Sequence, residues 1–205
     1  MPRMRSEDRR RQLMEAAIRV FAKKGYRGTT TAMLAKAAGV TEPILYRHFK
    51  NKLELFITLI DEASKEVIEM WHEALLGEHD GHKRLRMLLA SNPAKHERGE
   101  SVYRMIFQAM TEIEGDEEIS KSIKRHVTKL HAFIRRELES LQKSGAVRED
   151  EPAEDLAWLL VNVGIGYGLT SPMGLGGVKA GGERPSIERL IEELLLIDEK
   201  RSGKR

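Results

Sequence analysis

Thr30, Thr31, Thr41, Glu42, Pro43, Tyr46, Arg47, His48 and Lys52 crowd into one short stretch of the chain. Their chemistry suits a nucleic acid, and two kinds of contact separate. Hydroxyl, imidazole and ammonium groups, and helix N-termini, donate to phosphate oxygens. Tyr46, His48, Lys52 and one of Thr29, Thr30 or Thr31 are the candidates for that role. Base edges ask for something else. Thr41 and Pro43 offer apolar contact to a thymine methyl, Glu42 can accept from cytosine N4, and Arg47 can pair with guanine. A carboxylate in a groove also repels phosphate, so Glu42 acts mainly against wrong sequences. Arg47 also reads as a phosphate or solvent arginine, and Tyr46 as partly buried packing.

Such groups need rigid elements to hold them. Any of Thr29–Thr31 can cap a helix, whose inner face is Met33, Leu34, Ala37 and Ala38. Gly39 stops that helix. Thr41 caps a second short one, in which Pro43 is tolerated because the first turn has no intrahelical N–H bond to lose. Ile44, Leu45 and Phe49 face inward, leaving Glu42, Pro43, Tyr46, Arg47 and His48 to point out. Asn51 opens a longer helix, with Glu54 as its capping-box partner. Upstream, Ser6 with Glu7 and Asp8 opens a helix whose buried stripe is Leu13, Ala17, Val20 and Phe21. Residues 1–5 read as a disordered basic arm. Arg9, Arg10 and Arg11 suit solvent or phosphate better than bases.

Two short helices joined by a glycine turn place the second in a DNA major groove. The run G-x-x-x-T-T-x-x-x-L-A-x-x-A-G-V-T-x-x-x-L-Y-x-H-F-x-N-K, from Gly25 to Lys52, resembles the signature of the TetR family of bacterial transcription regulators. That resemblance implies phosphate contacts for Tyr46 and Lys52. It also implies a homodimer on a double-stranded DNA operator, joined through its last two helices, and a second domain enclosing a small-molecule effector. Ligand binding there shifts the connecting helix and respaces the recognition helices. A repressor is the family's commoner role. A dimer needs half-sites about one turn, roughly 34–36 Å, or a multiple of it, apart.

Composition fits. The 205 residues carry a net charge of +3, but residues 1–56 hold 13 Lys and Arg against 5 Asp and Glu, a net of +8, and the rest is −5. A basic module on an acidic body suits polyanion binding at one end. Cysteine is absent, which excludes disulfides and thiolate zinc sites. There is no membrane-spanning run and no signal-peptide pattern, so a soluble cytoplasmic protein is expected. The fold class is all-α: a three-helix, helix-turn-helix DNA-binding domain at 1–56, and a helical effector-binding and dimerisation domain at 57–205.

In the second domain the helix from Lys52 to about Leu76 carries Phe56, Leu59, Ile60, Ala63, Val67, Met70, Trp71 and Ala74 inward. His79 and His82 sit in a loop without a third ligand, so no metal is expected. Helices follow at 83–91 and 100–113, the latter with Tyr103, Ile106, Phe107 and Met110 as a stripe. Glu117 to Lys143 is a long helix. Ala153 to about Leu169 is the most apolar segment, with Gly164 and Gly168 on one face, marking either close approach of another helix or an early helix end. Residues 170–185 are glycine-rich and read as a mobile loop, without the pattern of a phosphate loop. A last helix from Ile187 to about Lys200, capped by Ser186, leads to a disordered tail. Met70, Trp71, Tyr103, Phe107, Met110, Phe133 and Trp158 are candidates for an apolar effector pocket, though each also reads as core. Trp158, Gly164, Gly168, Leu190 and Leu194 are candidates for the dimer seam. A helical adaptor that binds no DNA is the competing class, but it leaves the coincidence of basic charge, glycine turn and exposed Tyr46, Arg47 and His48 unexplained. No nucleophile set, metalloprotease motif or cofactor site is present, so neither an enzyme nor a cofactor is expected.

Overall fold

The computed structural model describes residues 6–91, 93, 97–112, 116–170 and 187–196. These hold α1 (Ser6–Lys24), α2 (Thr31–Ala37), α3 (Glu42–Tyr46), α4 (Lys52–Leu75), α5 (Gly81–Ala90), α6 (Glu97–Glu112), α7 (Glu117–Lys143), α8 (Ala153–Thr170) and α9 (Ile187–Leu195). No strand occurs among them beyond one isolated antiparallel bridge, Val147 to Leu196. The all-α expectation holds. The basic arm, the glycine-rich loop after Thr170, the Ser186 cap and the tail lie outside the described residues.

Packing divides the chain into two units, 1–65 with 94–126 and 66–93 with 127–205, to both of which α4 and α7 contribute. This division differs from one drawn at residue 56. In the first unit α6 lies against α1, with Arg98 Nε 2.8 Å from Glu15 Oε1 at the rim. An apolar stripe in sequence tells which face of α6 is buried but not what buries it. The centre of this unit is aromatic: Phe56 meets Phe21 edge-on and Tyr26 at a tilt, each with ring centroids 4.9 Å apart. In α1 the buried set is Leu13, Ala16, Ala17, Ile18, Phe21 and Ala22; Val20 is only half-buried.

The second unit packs Trp71, Leu75, Leu85, Leu88, Phe133, Leu138, Leu156, Leu160 and Leu195 into one core. Arg84 closes the C-terminus of α4, donating to the Leu75 and Glu78 carbonyls at 3.0 and 2.9 Å, and pairs with Glu137. α5 begins at Gly81, earlier than its apolar pattern suggests, because Asp80 caps it by accepting from Lys83 N at 3.0 Å.

Candidate nucleic-acid interface

Gly25, at φ 72°, closes α1, and its N–H donates to Phe21 O at 2.8 Å. Gly39, at φ 66°, closes α2 the same way; Gly39 N donates to Lys36 O and Val40 N to Ala35 O. A side chain at either position would be strained in that left-handed conformation. Leu45 and Phe49 are buried and hold α3 from below, while Ile44 is half-buried. Thr41, Pro43, Tyr46 and Arg47 are exposed, with Tyr46 at 49%. Glu42 and His48 are half-buried.

Three adjacent threonines have three different jobs. Thr29 is buried and donates to Gly25 O at 2.7 Å. Thr30 is the α2 N-cap, its hydroxyl accepting from Met33 N at 3.3 Å. An accepting hydroxyl keeps its hydrogen for an outside acceptor. Thr31 Oγ1 donates to Glu42 Oε2 at 2.6 Å and accepts from the Tyr46 hydroxyl at 3.3 Å. Thr41 stands at the N-cap of α3 but makes no side-chain cap bond. Its hydroxyl is therefore not committed to capping.

Lys52 is placed differently from a simple surface lysine. Its ammonium donates to Tyr26 O and Thr29 O, both at 2.8 Å, and sits 4.2 Å from the Tyr26 ring centroid. Those bonds fasten the first turn of α4 to the segment between α1 and α2. Any phosphate contact by Lys52 draws on that same ammonium. Asn51 caps α4 through Glu54 N at 2.8 Å, but Glu54 reaches one residue further back than a capping box does, to Lys50 N.

Two positioning residues escape a search for surface chemistry. Arg10 donates to His48 O at 3.0 Å and lies 4.3 Å from the Phe49 ring centroid. Gln12 Nε2 donates to Ala38 O at 3.1 Å. They tie α1 to the ends of α3 and α2. The signal for Arg10 was its spacing: it stands three residues before buried Leu13, on the inward stripe. Burial, followed by Arg47, Arg10 and Arg9, pushes the His48 imidazole below its ordinary pKa.

The apolar candidates fall in different units. Trp71 and Phe133 stack with centroids 5.2 Å apart inside the second unit's core, and Trp71 Nε1 donates to Ser91 O. Met70 packs beside that core. Tyr103 lies 5.8 Å from Phe107 in the first unit, whereas Met110 is 40% exposed. Trp158 is also 40% exposed and stacks on His131 at 4.2 Å. Sequence reading missed a buried polar group in the first unit, where Ser64 Oγ and His126 Nδ1 are 2.7 Å apart. Ser122, one turn before His126, is buried with no hydrogen bond to its Oγ among the described residues. The sign was there to read: Ser122 and His126 fall between Ile119, Ile123 and Leu130 on the inner stripe of α7.

A family model described as bacterial regulatory proteins, tetR family, matches residues 13–59. The HTH-type transcriptional regulator YhgD of Bacillus subtilis is 30% identical over 151 residues, 72% of this chain and 76% of that protein. The chain belongs to the TetR family. Its relatives and its fold are those of DNA-binding transcriptional regulators, not of enzymes. The HTH-type transcriptional activator FasR of Mycolicibacterium smegmatis is 33% identical over 106 residues, 52% of this chain but only 48% of that relative. The chain thus spans about half the length of that relative. The fold matches a solved TetR-type structure, FadR from Bacillus subtilis in complex with stearoyl-CoA. The TM-score is 0.71 at 19% identity, over 91% of this chain and 97% of that one. No helix among the described residues is long and apolar enough to cross a membrane.

Proposed function

We propose that this chain is a homodimeric, ligand-responsive repressor acting in the cytoplasm on a two-fold symmetric operator. Residues 1–56 carry DNA recognition; 57–205 carry effector binding and dimerisation. The observation that carries the reading is α3 itself: Leu45 and the following Phe49 are locked inward while Thr41, Pro43, Tyr46 and Arg47 stand in solvent. Thr30 serves phosphate, Tyr46 directs its one hydroxyl hydrogen to Thr31, and Thr41, Glu42, Pro43 and Arg47 serve base edges.

The dimer seam is α8 with α9. α8 is apolar nearly all round, which in a water-soluble helix calls for cover on both sides. Yet Trp158, Leu159 and Leu169 are exposed on it, and Leu190 and Leu194 are exposed one turn apart on α9 at 48% and 51%. A Cβ built at Gly164 meets nothing within 4 Å. α8 continues to Thr170, so Gly164 is no helix stop. A second copy of these helices covers the face, with Gly164 allowing its close approach; Gly168, also expected there, is already buried within the single chain.

The effector is hydrophobic or amphipathic. Tyr103, Phe107 and Met110 offer apolar surface, and Ser64, Ser122 and His126 offer a polar end. The stearoyl-CoA bound by the FadR structure has that dual character. Trp71 and Phe133 serve as core. Effector binding releases DNA by favouring the conformation that does not fit the operator, at a coupling of about 1–3 kcal/mol.

Selection of duplexes from a random library, followed by salt titration of the winner, tests the reading. A two-fold symmetric consensus with steep salt dependence is expected. Folded protein that selects no consensus contradicts it. An activator is the second reading, favoured by the similarity to FasR. Transcription from a promoter bearing the selected site falls with added protein for a repressor and rises for an activator.

A further inference from the structure

The geometry points to Thr31 as a specificity-determining positioning residue. It holds the Glu42 carboxylate so that its other oxygen reads a cytosine. This rests on α3 being the DNA-reading helix, as proposed above.

The argument begins with a count of hydrogens. Tyr46 O–H points at Thr31 Oγ1, and Thr31 O–H points at Glu42 Oε2. A hydroxyl has one hydrogen to donate, and a carboxylate at neutral pH only accepts. The chain of bonds therefore runs one way, from Tyr46 through Thr31 to Glu42. Thr31 has no second hydrogen for a phosphate while this chain stands. That separates it from Thr30, whose hydroxyl accepts from Met33 N. Hydrogen bonds to charged groups are shorter and stronger than neutral ones, and 2.6 Å fits that class.

Glu42 has only one oxygen engaged in this chain. Its Oε1 makes no hydrogen bond among the described residues. Glu42 opens α3, and first-turn residues of a recognition helix meet base edges. An acceptor at that place seeks an exocyclic amino group. Cytosine offers N4 with no acceptor from its own major-groove edge beside it. Adenine offers N6 next to N7, which repels a carboxylate, while guanine and thymine present acceptors. Cytosine is the base selected. A free glutamate side chain has several rotamers and would discriminate poorly, because ordering it costs entropy at the moment of binding. Thr31 removes that cost beforehand, and Tyr46 orients Thr31.

The test uses the full-length protein and the consensus selected for the wild type, with each base substituted in turn and binding read at several salt concentrations. Wild type is expected to prefer cytosine at one position per half-site by about five- to tenfold, the low end for a single rather than a bidentate pair. Thr31→Val reduces that preference to under about twofold with an unchanged salt slope. Thr31→Ser, which restores the hydroxyl, restores the preference. Glu42→Gln moves the preference to adenine, since an amide pairs with N6 and N7. Far-UV circular dichroism verifies that each variant is folded, and the cap at Thr30 is untouched in all of them.

Three outcomes overturn the assignment. In the first, Thr31→Val keeps the cytosine preference, so that Glu42 needs no support. It can instead lose affinity equally on all sequences, with the base preferences intact, making Thr31 a phosphate contact. A consensus indifferent to Glu42→Gln removes the reader itself. A wild type that selects no consensus is a separate failure, because it brings down the regulator reading and this one with it.

Discussion

α3 and α8 are both partly exposed, and they expose opposite things. α3 presents a carboxylate, a phenol and a guanidinium, and its exposed hydroxyls are fed into directed bonds or left uncommitted. α8 presents Trp158, Leu159 and Leu169 with little to hydrogen-bond. A surface that keeps water and anions as partners can stay open between binding events. An apolar one of this kind is stable only when covered. Exposure alone therefore says little about role; the chemistry of the exposed atoms is what sets the helix proposed to face DNA apart from the one proposed to face a second copy.

The largest test of this contrast is Trp158→Glu. A charge buried in the α8–α9 seam should weaken the dimer by about 3–5 kcal/mol. Analytical ultracentrifugation should show monomer, and operator binding should fall with it; a variant that stays dimeric moves the seam elsewhere. Next is Leu45→Ala, which removes fully buried packing beneath α3. A loss of about 2–5 kcal/mol is expected in denaturant unfolding, with dimerisation retained in the protein that remains folded. Arg10→Ala removes a charge-assisted bond and a ring contact at a half-exposed site, and about 1–2 kcal/mol of stability should go. Thr30→Ala costs about 1 kcal/mol as a lost cap. It should also weaken operator binding by a similar factor on every sequence, with base preferences unchanged, and unchanged affinity would refute the phosphate contact.

The smallest effect concerns His48, whose pKa in the free protein lies below its ordinary value of 6.5. The unfolded chain then binds more protons in that range, so stability is full above 6.5 and declines as pH falls toward the folded value. A phosphate beside the imidazole works the other way, since it favours the charged ring. Operator affinity should rise as pH falls through the same window, by at most one proton's dependence. His48→Gln should flatten both curves, measured by thermal unfolding and by binding titration.

Much of this was readable in advance, and the misses have physical causes. The helices and their glycine stops follow from local chemistry, so Gly39 and Asn51 stand where expected. Thr41 was placed at the right position with the wrong job, because a residue's type permits a cap bond without compelling it. Lys52 looks like a surface cation in sequence, and only the fold brings the Tyr26 and Thr29 carbonyls under its ammonium. Periodicity marked α6 as amphipathic, but partnership with α1 is a long-range fact that no local pattern encodes. Buried Ser64 and His126 stand far apart in sequence, and their pairing depends on α4 meeting α7.

Lys52 also makes the start of α4 a mechanical joint. Its two carbonyl bonds act as a pin through the segment that leads into α2, and its alkyl stem is the short arm on which that pin is carried. A turn of α4 about its own axis drags this segment along with it. The two carbonyls belong to different residues, three apart in the chain, so the pin holds that segment at two points. Displacement of the first turn of α4 is therefore felt directly at the Tyr26 and Thr29 carbonyls, and through Thr29 at the start of α2.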